Sequence, residues 1–111
     1  MSVIAIVYAL FGDREAAEQA ATHMVEQRLA ACANILAPCT SIYHWEGALE
    51  RAEEHPVLFK TSLEQRDALT AALAAGHDYA VPAISGWSAT TTIPYGAWVD
   101  EQTREEVRAA R

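Results

Sequence analysis

His77 stands beside Asp78 and Tyr79, just past an alanine-rich segment. A neutral imidazole next to a carboxylate there can serve copper or zinc. One imidazole and one carboxylate are too few ligands for a tight site from a single chain, and the competing role is a hydrogen bond to loop backbone. Cys32, in Ala31-Cys32-Ala33, is a soft candidate ligand or nucleophile. No lysine or histidine adjoins it in sequence to favour the thiolate, so its first reading is that of a small buried hydrophobe. Cys39, in the turn of Pro38, is expected to be exposed and receives no role. Lys60 is placed to reach an anionic ligand or to pair with a carboxylate across an interface. Glu50, Glu53, Glu54 and His55 form an acidic run, read as a solvated edge that resists aggregation rather than as a cation site. Asp13, Glu46 and Asp78 read as cap and turn residues. No nucleophile triad or paired-carboxylate motif is present, so an enzyme is not expected.

Composition narrows the classes further. The 111 residues form one domain, 1–111, and an apolar fraction of 51% is enough for a core. A net charge of −7 argues against nucleic acid, which needs clustered Lys and Arg. No apolar run approaches the ~20 residues of a membrane span. The opening Ser2–Leu10 lacks the basic start and cleavage pattern of a signal peptide and reads as a buried strand. With Cys32 and Cys39 alone, there is neither a disulfide framework nor a Cys-x-x-Cys motif, and a reduced, cytoplasmic protein is the expectation.

The elements that must hold these residues follow from periodicity. Val3 to Leu10 is continuously apolar, covered on both faces or on one face and an interface. Asp13 caps a helix carrying Ala17, Ala20, Ala21, Met24 and Val25 on one side and ending near Arg28. Residues 31–36 form a short strand broken at Pro38. Ser41 to Thr61 reads as a long hairpin turning at Gly47, with Pro56 at an edge or bulge. About ten residues per arm at about 3.3 Å each reach roughly 33 Å. That is close to the diameter of the whole domain, whose radius of gyration should be about 13 Å. An overhanging ribbon needs a partner, and a second copy of the chain is the simplest. Ser62 and Gln65 have the form of a capping box for a helix with Leu69, Ala72 and Leu73 inward and Gly76 as its C′ residue. Residues 77–82 are a loop, 83–87 a last strand and 88–92 a polar connection. Pro94 opens a helix with Tyr95, Trp98 and Val99 on one face, and the charged tail from Glu101 to Arg111 is expected to fray. The order is the β-α-β-β-α-β pattern of the ferredoxin-like fold, in class α+β.

Four segments in this order carry a family resemblance: Arg28–Ile35, with its Ala-Cys-Ala core, Ser41-Ile42-Tyr43-His44-Trp45-Glu46-Gly47, Lys60-Thr61, and His77-Asp78-Tyr79-Ala80-Val81-Pro82. With Tyr95 and Trp98, they resemble the CutA divalent-cation tolerance family over nearly the whole chain. The resemblance implies a non-enzymatic homotrimer that pairs its 41–61 hairpins between subunits, similar in architecture to PII signalling proteins. It implies copper or another divalent metal ion as ligand. In metal-binding members of that family a cysteine stands where this chain has Ala9 and paired histidines where it has Gly76-His77, so His77 alone keeps a ligand. Asp78 and Ala83 replace a proline and a glutamate of the usual pattern. The resemblance and the polar loop together imply an inter-subunit cleft lined by His77, Asp78, Tyr79, Lys60 and Cys32. The alternative is a PII-like signalling module binding a small metabolite or nucleotide between subunits, against which stands the lack of a Gly-rich phosphate loop.

Overall fold

β1 (Ser2–Phe11) forms where β-branched side chains can pack on both faces of a sheet, and it ends before Gly12. Asp13 then caps α1 (Arg14–Glu26) as its sequence position suggests, its carboxylate accepting from Ala16 N–H at 2.8 Å. The chain leaves α1 through Arg28, which sits in the left-handed region at φ 62, and its guanidinium donates to the side chain of Gln102. There follow β2 (Cys32–Ile35), β3 (Cys39–Trp45), β4 (Ala48–Thr61), α2 (Arg66–Ala75), β5 (Ile84–Thr91) and α3 (Ile93–Thr103). This computed structural model describes residues 1–104. Glu101 to Thr103 complete α3 with Arg104 as its C-cap instead of belonging to a loose tail, and residues 105–111 of the expected tail lie outside the described residues.

The sheet is antiparallel in the order β2-β4-β1-β5, the ferredoxin-like arrangement. Val7, Ala9, Phe11, Val57 and Phe59 turn to one face and pack under Ala17, Ala21 and Met24 of α1 and Leu69 and Leu73 of α2. Ile4 and Ile6 turn to the other face, where Tyr95 and Val99 of α3 meet them with Ala89. Farther along that second face Tyr8, Leu10, Leu58 and Lys60 are only half-buried.

β3 pairs with β4 from Cys39↔Glu54 to Trp45↔Ala48 around the two-residue turn Glu46-Gly47, with φ of 50 and 82. Two positive φ values in succession give the type I′ geometry that matches strand twist. The paired arms are seven residues long, shorter than expected, because the second half of the 14-residue β4 enters the central sheet. There it pairs with β1 from His55 to Thr61 on one edge, and with β2 from Val57 to Lys60 on the other. From Ala48 to Glu54 its only partner among the described residues is β3, so the hairpin is a two-stranded ribbon with both outer edges open. It draws the molecule out to 45 × 30 × 21 Å, with a radius of gyration of 14.7 Å.

Several local expectations are corrected. Ser88 to Thr91 continue β5 opposite Ser2 to Ala5, since threonine suits a strand and β1 offers a free edge there. Pro56 is buried in a central strand. Its missing N–H is harmless because residues 36–38 leave the ladder opposite it, while its carbonyl accepts from Leu36 N–H at 3.0 Å. Ser62 Oγ accepts from Gln65 N–H at 3.3 Å, but it closes a turn that precedes α2 rather than its first turn. Gly76 ends α2 at φ −96, without the left-handed conformation its glycine permits.

Candidate functional site

The loop after α2 folds back on the end of β1 through His77. Its Nε2 lies 2.7 Å from Leu10 O and its Nδ1 accepts from Tyr79 N–H at 3.1 Å. That pattern assigns the proton to Nε2. The ring also stacks on Phe11 at 4.9 Å between centroids and tilts against Tyr79 at 4.6 Å. Both ring nitrogens are therefore used to dock the loop. Asp78 is exposed.

Tyr79 reaches onward from the loop to the hairpin, its hydroxyl donating to Glu54 Oε2 at 3.0 Å. Gly12 leaves room for this ring, since a Cβ there would stand 3.2 Å from the Tyr79 hydroxyl. Burial, then the bond to Glu54, pushes the Tyr79 phenol up to about 12. Tyr8 is also raised, by burial and then by Cys39 and Glu54 nearby. Glu54 itself is 6% exposed, so the acidic run is not wholly a solvated edge. Its strand alternates, and at the root of the hairpin the face carrying Glu54 is covered by Tyr79. His55 is also largely buried, with Nε2 3.7 Å from Glu53 and a buried Nδ1 that has no hydrogen-bond partner among the described residues.

Two cavities flank this loop. One of about 260 Å³ lies between the helices, reached by His23, Asp13, His77 and Asp78. The other, of about 520 Å³, opens between the hairpin and residues 79–83, against Tyr43, Trp45, Glu54 and Tyr79. The aromatic pair Tyr43 and Trp45 indeed shares a hairpin face, with His44 on the other.

Cys32 and Lys60 sit elsewhere. They are direct cross-strand partners in β2 and β4, and Lys60 lies opposite Ile6 on β1. Ile6 is five residues from Phe11, about 16 Å at the rise of a strand. Phe11, on which His77 stacks, turns to the helix-covered face, whereas Lys60 alternates with the buried Phe59 and turns away from it. A single chain thus gathers His77, Asp78 and Tyr79 but leaves Lys60 and Cys32 apart from them. Sequence reasoning missed the Cys32–Lys60 pairing because its partners lie 28 residues apart. Cys32 is half-buried, its thiol reaching Asn34 Oδ1 at 3.7 Å, and it helps burial to raise the Tyr95 phenol. Cys39 is half-buried rather than exposed, 3.9 Å from Ser41 Oγ.

Metal chemistry can be tested on this arrangement. His77 Nε2 meets Leu10 O, so Ala9 and His77 do lie near one another at the end of β1, but the alanine side chain offers no donor atom. Among the described residues no group of three or more His, Cys, Asp or Glu side chains is placed to hold an ion. Within one chain the residues do not fit a copper site.

The four-stranded antiparallel sheet, two helices on one face and an overhanging hairpin define a ferredoxin-like α+β protein with a docked loop at the root of the hairpin. Residues 5–102 match the model of the CutA1 divalent ion tolerance protein family, and the chain belongs to that family. It is 33% identical over 101 residues to "Protein CutA 1, chloroplastic" of Oryza sativa subsp. japonica, a match spanning 90% of this chain and 57% of the rice protein. The chain thus spans little more than half the length of that curated relative. The crystal structure of CutA1 from Oryza sativa superposes with a TM-score of 0.88 at 31% identity, covering 94% of this chain and 96% of that one. The divalent cation tolerance protein of Thermus thermophilus gives 0.85 at 35% identity, covering 90% and 98%. No helix among the described residues is long and apolar enough to cross a membrane.

Proposed function

We propose that this protein is a non-enzymatic homotrimer acting in tolerance of divalent cations, copper among them, and that it holds a metal ion between chains rather than within one. The observation that carries this reading is the open ribbon formed by β3 and the first half of β4. Its edges are unpaired among the described residues, and it exposes Ile42 at 61% and Leu49 at 68%. Such a ribbon is marginal alone and is stabilised by strands of a second copy. Assembly would allow Cys32 of one copy to approach His77 and Asp78 of another. This adds a thiolate to the carboxylate and to an imidazole that exchanges its Nδ1 bond with Tyr79 N–H for the metal, while Lys60 stands by as a counter-charge. Two free cysteines in a small domain favour the cytoplasm.

Calorimetric titration with copper and zinc, on protein whose mass has been measured by light scattering, tests both parts. The expected result is three times the 12.1 kDa chain mass and saturable uptake weakened in His77→Ala and in Cys32→Ala. A monomer refutes the assembly; absent uptake, or uptake unchanged in both variants, refutes the inter-chain metal site.

A further inference from the structure

We propose that the cavity of about 520 Å³ at the root of the hairpin binds an organic ammonium ion, either a protonated amine or a methylated ammonium. This goes beyond the metal reading and uses residues of one chain only.

The walls are aromatic. Tyr43 and Trp45 project from β3 on one face, Tyr79 comes from the docked loop, and Val81 and Ser41 fill the gaps between them. Small partners keep this space open, because Ala48 and Ala52 stand across the hairpin from Trp45 and Ser41. Within a single chain the two large aromatics Trp45 and Tyr43 are 44% and 41% exposed, beside a void instead of a packed core.

The one charged group among the described residues of this lining is the carboxylate of Glu54. Glu54 is 6% exposed, and its Oε2 accepts from the Tyr79 hydroxyl. A cation placed beside this mostly buried carboxylate gains from its charge more than it would from a carboxylate in open water. The protein does not provide one, since no lysine, arginine or histidine among the described residues lines the cavity. Glu50 faces the same way as Tyr43, directly across the ladder, and adds negative potential.

The chemistry selects among cations. Magnesium and calcium demand about six or more oxygen ligands, and transition metals want imidazole or thiolate. One carboxylate among rings offers neither. An ammonium carrying alkyl groups is weakly hydrated, gains from the faces of Trp and Tyr, and buries its carbon against them. The volume agrees, since ligand cavities run from about 300 to 1,000 Å³, far more than a bare ion needs. Tyr79 keeps its proton to high pH and so continues to hold the carboxylate in place.

Choline and n-butylammonium are the probes, with 3,3-dimethylbutan-1-ol as the neutral counterpart of choline in shape, titrated into the intact protein by calorimetry and tryptophan fluorescence. At least one cation is expected to bind saturably. It should bind about tenfold or more weakly to Glu54→Gln, which keeps the shape and the Tyr79 bond, and to Trp45→Leu. The neutral alcohol should also bind about tenfold or more weakly than choline when choline is the bound cation. Equal binding of choline and the alcohol, unchanged binding to Glu54→Gln, or no saturable binding of either cation overturns the proposal. Should Glu54→Gln fail to fold, Trp45→Leu decides alone, because the Trp45 side chain is 44% exposed and its replacement removes little buried area from the chain. Copper uptake is expected to be the same in Glu54→Gln, so this site and the metal reading fail separately.

Discussion

At the scale of single residues, the contact between Tyr79 and Glu54 joins two parts of the chain that share no local signal. Its energetics should be visible in alkali. The Tyr79 phenol is raised to about 12 by burial first and by the Glu54 bond second, above the ordinary value near 10. A proton held more tightly by the folded state stabilises it. That contribution is complete below pH 10 and disappears as pH rises through about 12. Thermal unfolding followed from pH 9 to 12, alongside tyrosinate absorbance, should show a loss of stability in this window. Tyr79→Phe should remove this raised phenol and flatten the alkaline limb; an unchanged limb would mean that other groups control it. His77 belongs to the same construction, since its two ring nitrogens and its stacking on Phe11 hold the loop from which Tyr79 reaches out.

At the scale of elements, α3 is the least self-evident part, because what fixes it is a close approach rather than an apolar stripe. A Cβ at Gly96 would overlap the Ser2 side chain, so the helix lies directly on the start of β1. Val99, fully buried beside Ile4, and the bond from Arg28 to Gln102 hold it there. Gly96→Ala should push α3 off the sheet and destabilise by about 1–3 kcal/mol, as overpacking does. A melting temperature unchanged or raised in that variant would show that α3 shifts freely. In the hairpin, Glu46 adopts φ 50 in a turn position that favours Asn or Gly. Glu46→Asn should stabilise by roughly 1 kcal/mol, the scale of a left-handed residue's cost, readable as a higher denaturation midpoint.

At the scale of the whole molecule, one strand serves two structures. β4 is a central strand from His55 onward and half of an overhanging ribbon before it. The fold of the core therefore does not depend on the ribbon, and assembly should. Replacing residues 42–51 with an Asn-Gly turn should leave far-UV circular dichroism close to that of the core and reduce the mass in solution to a single chain. An unreduced mass would move the subunit contact elsewhere, to the half-buried sheet face around Tyr8 and Leu58.

The sequence alone carried the order of elements, the Asp13 cap, the turn at Gly47, the split of Tyr43 and Trp45 from His44, and enough of the family's segments to show the ferredoxin-like fold. These rest on the periodicity and backbone preferences of neighbouring residues, which act over a few positions. Where such rules misled, a distant partner had changed the outcome. Ser88 to Thr91 look polar but find the free edge of β1, and Pro56 looks like an edge residue but faces a gap left by residues 36–38. The site was less legible for the same reason. Glu54 reads as one more acid in a charged run until Tyr79, 25 residues away, covers it, and Cys32 meets Lys60 only through strand register. Burial, hydrogen-bond partnership and the shape of a cavity depend on which faces the folded chain brings together, and that was decided by the tertiary structure.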